Sequence, residues 1–135
     1  MNNLTSQELE ISFKEAIKNK ENLNNFLNKT LLDLNNPLKS SLIKWLFISW
    51  LIKENLIIKT KGEQRISIMV SKTNNITFNT NSDSCALCRV HLLQGCNTCP
   101  LDDCSDQWHT WINSKNNCKP ILKLLLDTFE RTQKL

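Results

Sequence analysis

The 135-residue chain has no Tyr, only two Gly (Gly62 and Gly95), only three Arg, and no cysteine outside the single window from Cys85 to Cys118. Each shortage excludes something. Two isolated glycines cannot build a Gly-rich phosphate cradle, and neither a nucleophile elbow nor an H-E-x-x-H zinc-hydrolase motif occurs. Arg65, Arg89 and Arg131 are the only guanidinium groups for bidentate readout of guanine. The longest apolar run, Trp45 to Ile52 with Leu42-Ile43 before it, is interrupted by Lys44 and closed by Lys53-Glu54. A membrane span needs about 20 apolar residues, so this run reads as a buried core helix and no membrane partner is expected. The first ten residues hold neither a basic leader nor an apolar stretch. A reducing cytoplasm is therefore the expected compartment, and disulfides are disfavoured there.

What is present is an ordinary globular balance of 40% apolar and 22% charged residues, with 18 Asn and 14 Lys as the compositional excesses. Such a chain can bury a core of its own. Leu9, Phe13, Ala16 and Ile17 recur at helical spacing behind Thr5 or Ser6 as caps, which predicts a first helix over about 6–19. Leu23, Phe26, Leu27, Leu31 and Leu34 predict a second, stopped by Asn35-Asn36-Pro37. Leu38 to Ile52 makes a third, apolar on every face and so covered on most sides. The period then changes to two: Leu56 to Thr60 and Arg65 to Val70 flank a turn around Gly62 and read as a β-hairpin, with Ile76 to Thr80 as a short further strand. Past the cysteines, helices are expected over about 103–113 and 120–131. The predicted fold is thus α+β and predominantly helical. A three-helix core with a hairpin occupies residues 1–80, and a Cys-rich metal-binding module with a closing helix occupies residues 81–135.

Helix, helix, helix, hairpin is the element order of a winged helix, and residues 38–70 resemble that fold in order alone. Residues 37–80 carry seven basic and two acidic side chains, whereas residues 1–36 sum to minus one and residues 81–135 to zero. A local excess of this kind suits phosphate contacts, with Lys59, Lys61 and Arg65 on the wing as the expected nucleic-acid-binding residues. The third helix is too apolar to read base edges.

The cysteine window is written Cys85-Ala-Leu-Cys88, Cys96-Asn-Thr-Cys99-Pro100, Cys104 and Cys118. Two C-x2-C pairs can each wrap a tight turn and present four thiolates to one metal, which in a reducing compartment points to Zn2+. Cys85, Cys88, Cys96 and Cys99 are the natural ligand set. Cys104, Cys118, His91 and His109 are further candidates, so one zinc or two fit the count. An iron–sulfur cluster is the rival cofactor, because C-x2-C-Pro also ends iron–sulfur loops, and it would make the chain a redox or sensor protein. Catalytic zinc chemistry is not expected, since neither histidine is followed at the second position by the glutamate of the deaminase motif.

The stretch Cys-Ala-Leu-Cys, then Gly-Cys-Asn-Thr-Cys-Pro-Leu, then further cysteines before a terminal helix, resembles small cysteine-rich proteins of bacteriophages that carry CPLC followed by C-x-G-C-P. This chain has Ala86 where Pro is usual and Thr98 where Gly is usual. The resemblance implies a metal-binding viral accessory protein without enzymatic activity. Two roles follow, neither with a small-molecule substrate. One is nucleic-acid binding or regulation through the basic segment. The other is a phage-borne protein–protein inhibitor or adaptor, for instance against a host defence system, using the apolar third helix and exposed tryptophans.

Overall fold

The computed structural model describes residues 6–31, 36–59, 61–62, 65–69, 75–79, 105–114 and 117–133. Helix α1 (Ser6–Ala16) leads into α2 (Lys20–Asn25), which continues as a π-helical turn over Phe26–Thr30. Helix α3 (Pro37–Lys53) follows, then strands β1 (Ile57–Lys59), β2 (Arg65–Met69) and β3 (Asn75–Asn79), and finally α4 (Ser105–Asn113) and α5 (Lys119–Gln133). The fold is mostly helical with one small antiparallel sheet, as the periodicities predict. No helix among the described residues is long and apolar enough to cross a membrane.

The abundant asparagines do specific work at the chain's corners. Asn19 caps α2 by accepting from the Asn22 amide at 2.8 Å, and the Asn22 side chain donates to the Glu15 carbonyl at 3.1 Å, holding α1 against α2. Asn55 ends α3 in the left-handed region at φ 58°, where Asn is the most tolerant side chain. Its amide bonds Ile52 O while that of Leu56 bonds Leu51 O, the paired pattern of a Schellman motif.

The π turn has a packing cause. Leu23, Leu27 and Leu31 are all buried, yet each four-residue step overshoots a full α-helical turn by about 40°. A wider turn over the second step, closed by the bond from the Leu31 amide to Phe26 O at 3.1 Å, swings Leu31 back toward the core. The second helix of the sequence expectation is therefore part α and part π; its last predicted position, Leu34, lies outside the described residues.

Helix α3 is the centre of the molecule. It packs against α1, β1 and α5, and its aromatic residues serve two different neighbours. On one side Phe47 lies 5.1 Å from Phe13 and 5.0 Å from Phe26, with Trp50 stacked on Phe47. On the other, Trp45 meets Trp111 edge to face at 5.2 Å and Trp108 at 6.4 Å. Trp111, Cys118, Ile121 and Leu125 thus join the same core cluster as Phe13, Leu23 and Leu51, across the boundary drawn at residue 80 from sequence. The tryptophans are interior rather than exposed: Trp45 and Trp111 are buried, Trp50 and Trp108 half-buried.

Candidate nucleic-acid interface and metal-binding segment

The sheet order is β1-β2-β3, with Ile57 opposite Ile68, Lys59 opposite Ile66, and Ile68 opposite Ile76. Alternation of side chains puts Ile57, Lys59, Ile66, Ile68 and Ile76 on one face and Ile58, Arg65, Ser67, Met69 and Thr77 on the other. Ile66 and Ile68 are buried, so the first face is the core face and Lys59 belongs to it. Ile58, by the same register, points outward and is 54% exposed.

Lys59 therefore does not occupy the surface position expected for it. It is 3% exposed, and its ammonium donates to the carbonyls of Ile112 at 3.0 Å and Ser114 at 2.6 Å. These are C-terminal carbonyls of α4, left without partners by the end of the helix and carrying its negative pole. The same ammonium sits 4.9 Å from the centroid of the Trp111 ring. A buried charge held by two carbonyls and a ring face is a structural clamp, and it leaves nothing free for phosphate.

Three residues beyond the end of β1, the chain turns at Gly62. Its φ of +88° belongs to glycine, and its amide donates to Ile112 O at 2.7 Å. The hairpin tip is consequently bonded to the end of α4 through both Lys59 and Gly62. Lys61 and Arg65 flank this anchor and are exposed.

Of the candidate metal ligands, Cys85, Cys88, Cys96, Cys99, Cys104 and His91 lie outside the described residues. Cys118 and His109 are described and sit in opposite environments. His109 is on the exposed side of α4, while Cys118 is a free thiol, 3% exposed, in the core cluster just before α5. Burial pushes the Cys118 thiol above its ordinary value of 9.0, opposed in part by its own backbone amide, the Ser49 side chain and the Lys119 charge. Without a metal it stays protonated and packs as a small apolar group. Among the described residues no group of three or more His, Cys, Asp or Glu side chains comes together.

One prediction follows from this burial. Iodoacetamide at pH 8 is expected to leave Cys118 of the folded protein unmodified and to alkylate it on unfolding, read by peptide mass spectrometry. The sign for stability is set by the same shift: a thiol held protonated in the fold costs nothing below its ordinary value, and stability falls as pH climbs above it. Rapid native-state alkylation of Cys118 would contradict the packing described.

A second surface feature is an open groove of about 420 Å³ between α1 and the α2–π segment, with Ala16 and Phe26 on its floor and Ile11, Glu15 and Asn22 around it. Ile11 stands 63% exposed at its edge.

Compared with protein-family models, with curated proteins and with solved structures, the chain matches none.

Proposed function

We propose that this is a non-enzymatic zinc-binding accessory protein that acts by recognising nucleic acid, with a winged-helix-like hairpin as its contact element. The observation that carries the reading is the anchored hairpin tip: Lys61 on the turn and Arg65 at the start of β2 are both exposed beside a tip fixed to α4 through Lys59 and Gly62. A cation on a fixed support loses less conformational freedom on meeting a phosphate than one on a free loop. Two exposed cations on such a support give non-specific backbone contact. Sequence readout is not part of the reading, because α3, the helix that would enter a groove, has its middle turns buried from Ser40 to Trp45.

Zinc enters this reading as a structural element. Cys85, Cys88, Cys96 and Cys99 would hold it as four thiolates, a donor set that suits a closed tetrahedral site with no open position for catalysis. Its contribution is to tie together a segment, residues 80–104, that is bounded by β3 and α4 and has few large apolar side chains of its own. Elemental analysis of anaerobically purified protein with its visible spectrum distinguishes zinc from an iron–sulfur cluster, since only the latter is coloured.

The test of recognition is a gel shift at low salt with DNA and RNA, comparing the native chain with the Lys61→Ala, Arg65→Ala double variant. Binding that weakens with salt is expected, and the variant should lower the slope of log affinity against log salt by about 1.8, two phosphate contacts at about 0.9 each. An unchanged slope would remove the hairpin from the interface. No binding of either nucleic acid would hand the function to the second reading, a protein-binding adaptor or inhibitor. That reading is favoured by the groove beside α1 and its exposed Ile11.

A further inference from the structure

The clamp that fixes the hairpin also brings a second basic segment beside it, and the two are 53–55 residues apart in the chain. Residues 107–126 contain Lys115, Lys119 and Lys123 and not one Asp or Glu. Counted over the whole of residues 81–135, this excess is cancelled by carboxylates elsewhere, six basic against six acidic. The fold separates what the count averages. Lys59 and Gly62 bond to Ile112 and Ser114; the Ser114 hydroxyl accepts from the Asn117 amide at 3.0 Å; and the Asn117 side chain accepts from the Lys119 amide at 3.3 Å. An unbroken chain of short contacts therefore runs from the hairpin tip through the α4–α5 junction to the first turn of α5.

Cys118 just before α5 and Ile121, Leu125 and Thr128 on it are buried, which turns Lys119 and Lys123, four residues apart, together toward solvent. The adjoining Asn113 and Asn117 are exposed and uncharged. Asp127 and Glu130 lie one to two turns further along α5, beyond the lysine pair. The outer surface of the junction is thus cationic and polar, and the junction is bonded through Lys59 and Gly62 to the hairpin that carries Lys61 and Arg65.

We infer that the nucleic-acid contact surface is composite: the hairpin tip supplies Lys61 and Arg65, and the first two turns of α5 supply Lys119 and Lys123, together gripping one stretch of phosphate backbone. The inference rests on the nucleic-acid reading above and extends it to a part of the chain whose summed charge is zero. Phosphodiester backbone is the partner this chemistry selects, because the residues assigned to the surface offer Lys and Arg charges and amide side chains, with no aromatic ring among them for stacking bases. The lysines of α5 add contacts of the same kind as the hairpin's and enlarge the number of counterions released on binding.

The experiment measures affinity for a short mixed-sequence DNA duplex across a salt series for four proteins: native, Lys61→Ala with Arg65→Ala, Lys119→Ala with Lys123→Ala, and Lys14→Ala with Lys18→Ala. The last pair lies at α1, where both lysines are engaged with Glu10 and Glu15, and serves as the control for net charge. Both pairs on the composite surface are expected to weaken binding roughly tenfold or more at about 0.1 M salt and to reduce the salt slope by about 1.8 each, with the α1 pair unchanged. Native binding that depends on Lys61 and Arg65 but not on Lys119 and Lys123 would overturn the composite surface and leave the nucleic-acid reading standing. An equal loss from the α1 pair would show bulk charge rather than a built surface. Failure of the native protein to bind would sink the reading on which the inference rests, and stronger retention on phosphatidylserine vesicles than on duplex, through the same lysines, would assign the surface to a lipid instead. All six substituted positions are exposed, and an unchanged far-UV spectrum confirms that each variant folds.

Discussion

Replacing Lys59 by Ala is expected to lower the stability of the protein by about 3 kcal/mol, measured by urea unfolding followed through tryptophan fluorescence. The magnitude comes from two hydrogen bonds made by a buried charge, each worth about 1.5 kcal/mol or somewhat more, and from a cation–ring contact shielded from water. The lost partner also matters. Ile112 O keeps the Gly62 amide, whereas Ser114 O loses the ammonium that lies 2.6 Å away. Lys59→Met separates charge from packing, because Met preserves most of the side-chain stem. About half the loss is expected from Met, and the remainder belongs to the vacated volume. Since a domain of this size has a total stability of roughly 5–15 kcal/mol, the Ala variant should remain folded at room temperature and show a clearly lower midpoint. A change below about 0.5 kcal/mol, the range of ordinary surface substitutions, would mean that the ammonium is solvated in the native state.

A larger effect is expected from the cysteines. Cys85→Ser or Cys99→Ser, or removal of metal from the native chain by a strong chelator, should abolish cooperative thermal unfolding. Structural zinc contributes an apparent 10–16 kcal/mol at neutral pH, comparable with or above the whole stability of the fold, so its loss cannot be absorbed. Trp108 and Trp111 make the outcome readable, because they sit on the helix that directly follows Cys104 and pack on Trp45 in the core. Loss of metal should move their emission to longer wavelength as water reaches them. A melting curve identical to that of the native protein would show that the helical core stands without the window and that the metal, if bound, is peripheral.

Most helices and strands were legible from periodicity because their buried residues are ordinary apolar side chains at regular spacing. Phe13 and Ala16 in α1, and Leu42, Trp45 and Leu51 in α3, carry that signal without ambiguity. Ile66 and Ile68 did the same for β2 through strict alternation. Lys59 was not legible. A lysine beside a hairpin turn is usually solvent-facing, and its burial depends on a strand register and on carbonyls more than 50 residues away, neither of which a local pattern contains. The π turn escaped for a related reason: the leucine spacing announces a helix but not which hydrogen bond will close its last step. At the candidate interface, Lys61 and Arg65 could be named from the hairpin alone, while Lys119 and Lys123 could not, since only the tertiary fold joins them to it. Cys85, Cys88, Cys96 and Cys99 lie outside the described residues, and as metal ligands they are a proposal from spacing alone.

The clamp between Lys59 and the end of α4 closes a loop of 53 residues, and that loop encloses Cys85 through Cys104. Closing it during folding costs about 3.5 kcal/mol of chain entropy beyond a constant, which places the clamp among the late events on the folding route. A metal that draws Cys85 to Cys99 shortens the path by about a quarter and reduces that cost by only about 0.3 kcal/mol, less than a factor of two in rate. Refolding that accelerates much more than twofold on metal addition would therefore have to owe its speed to contacts made early by the cysteine segment rather than to the shorter loop.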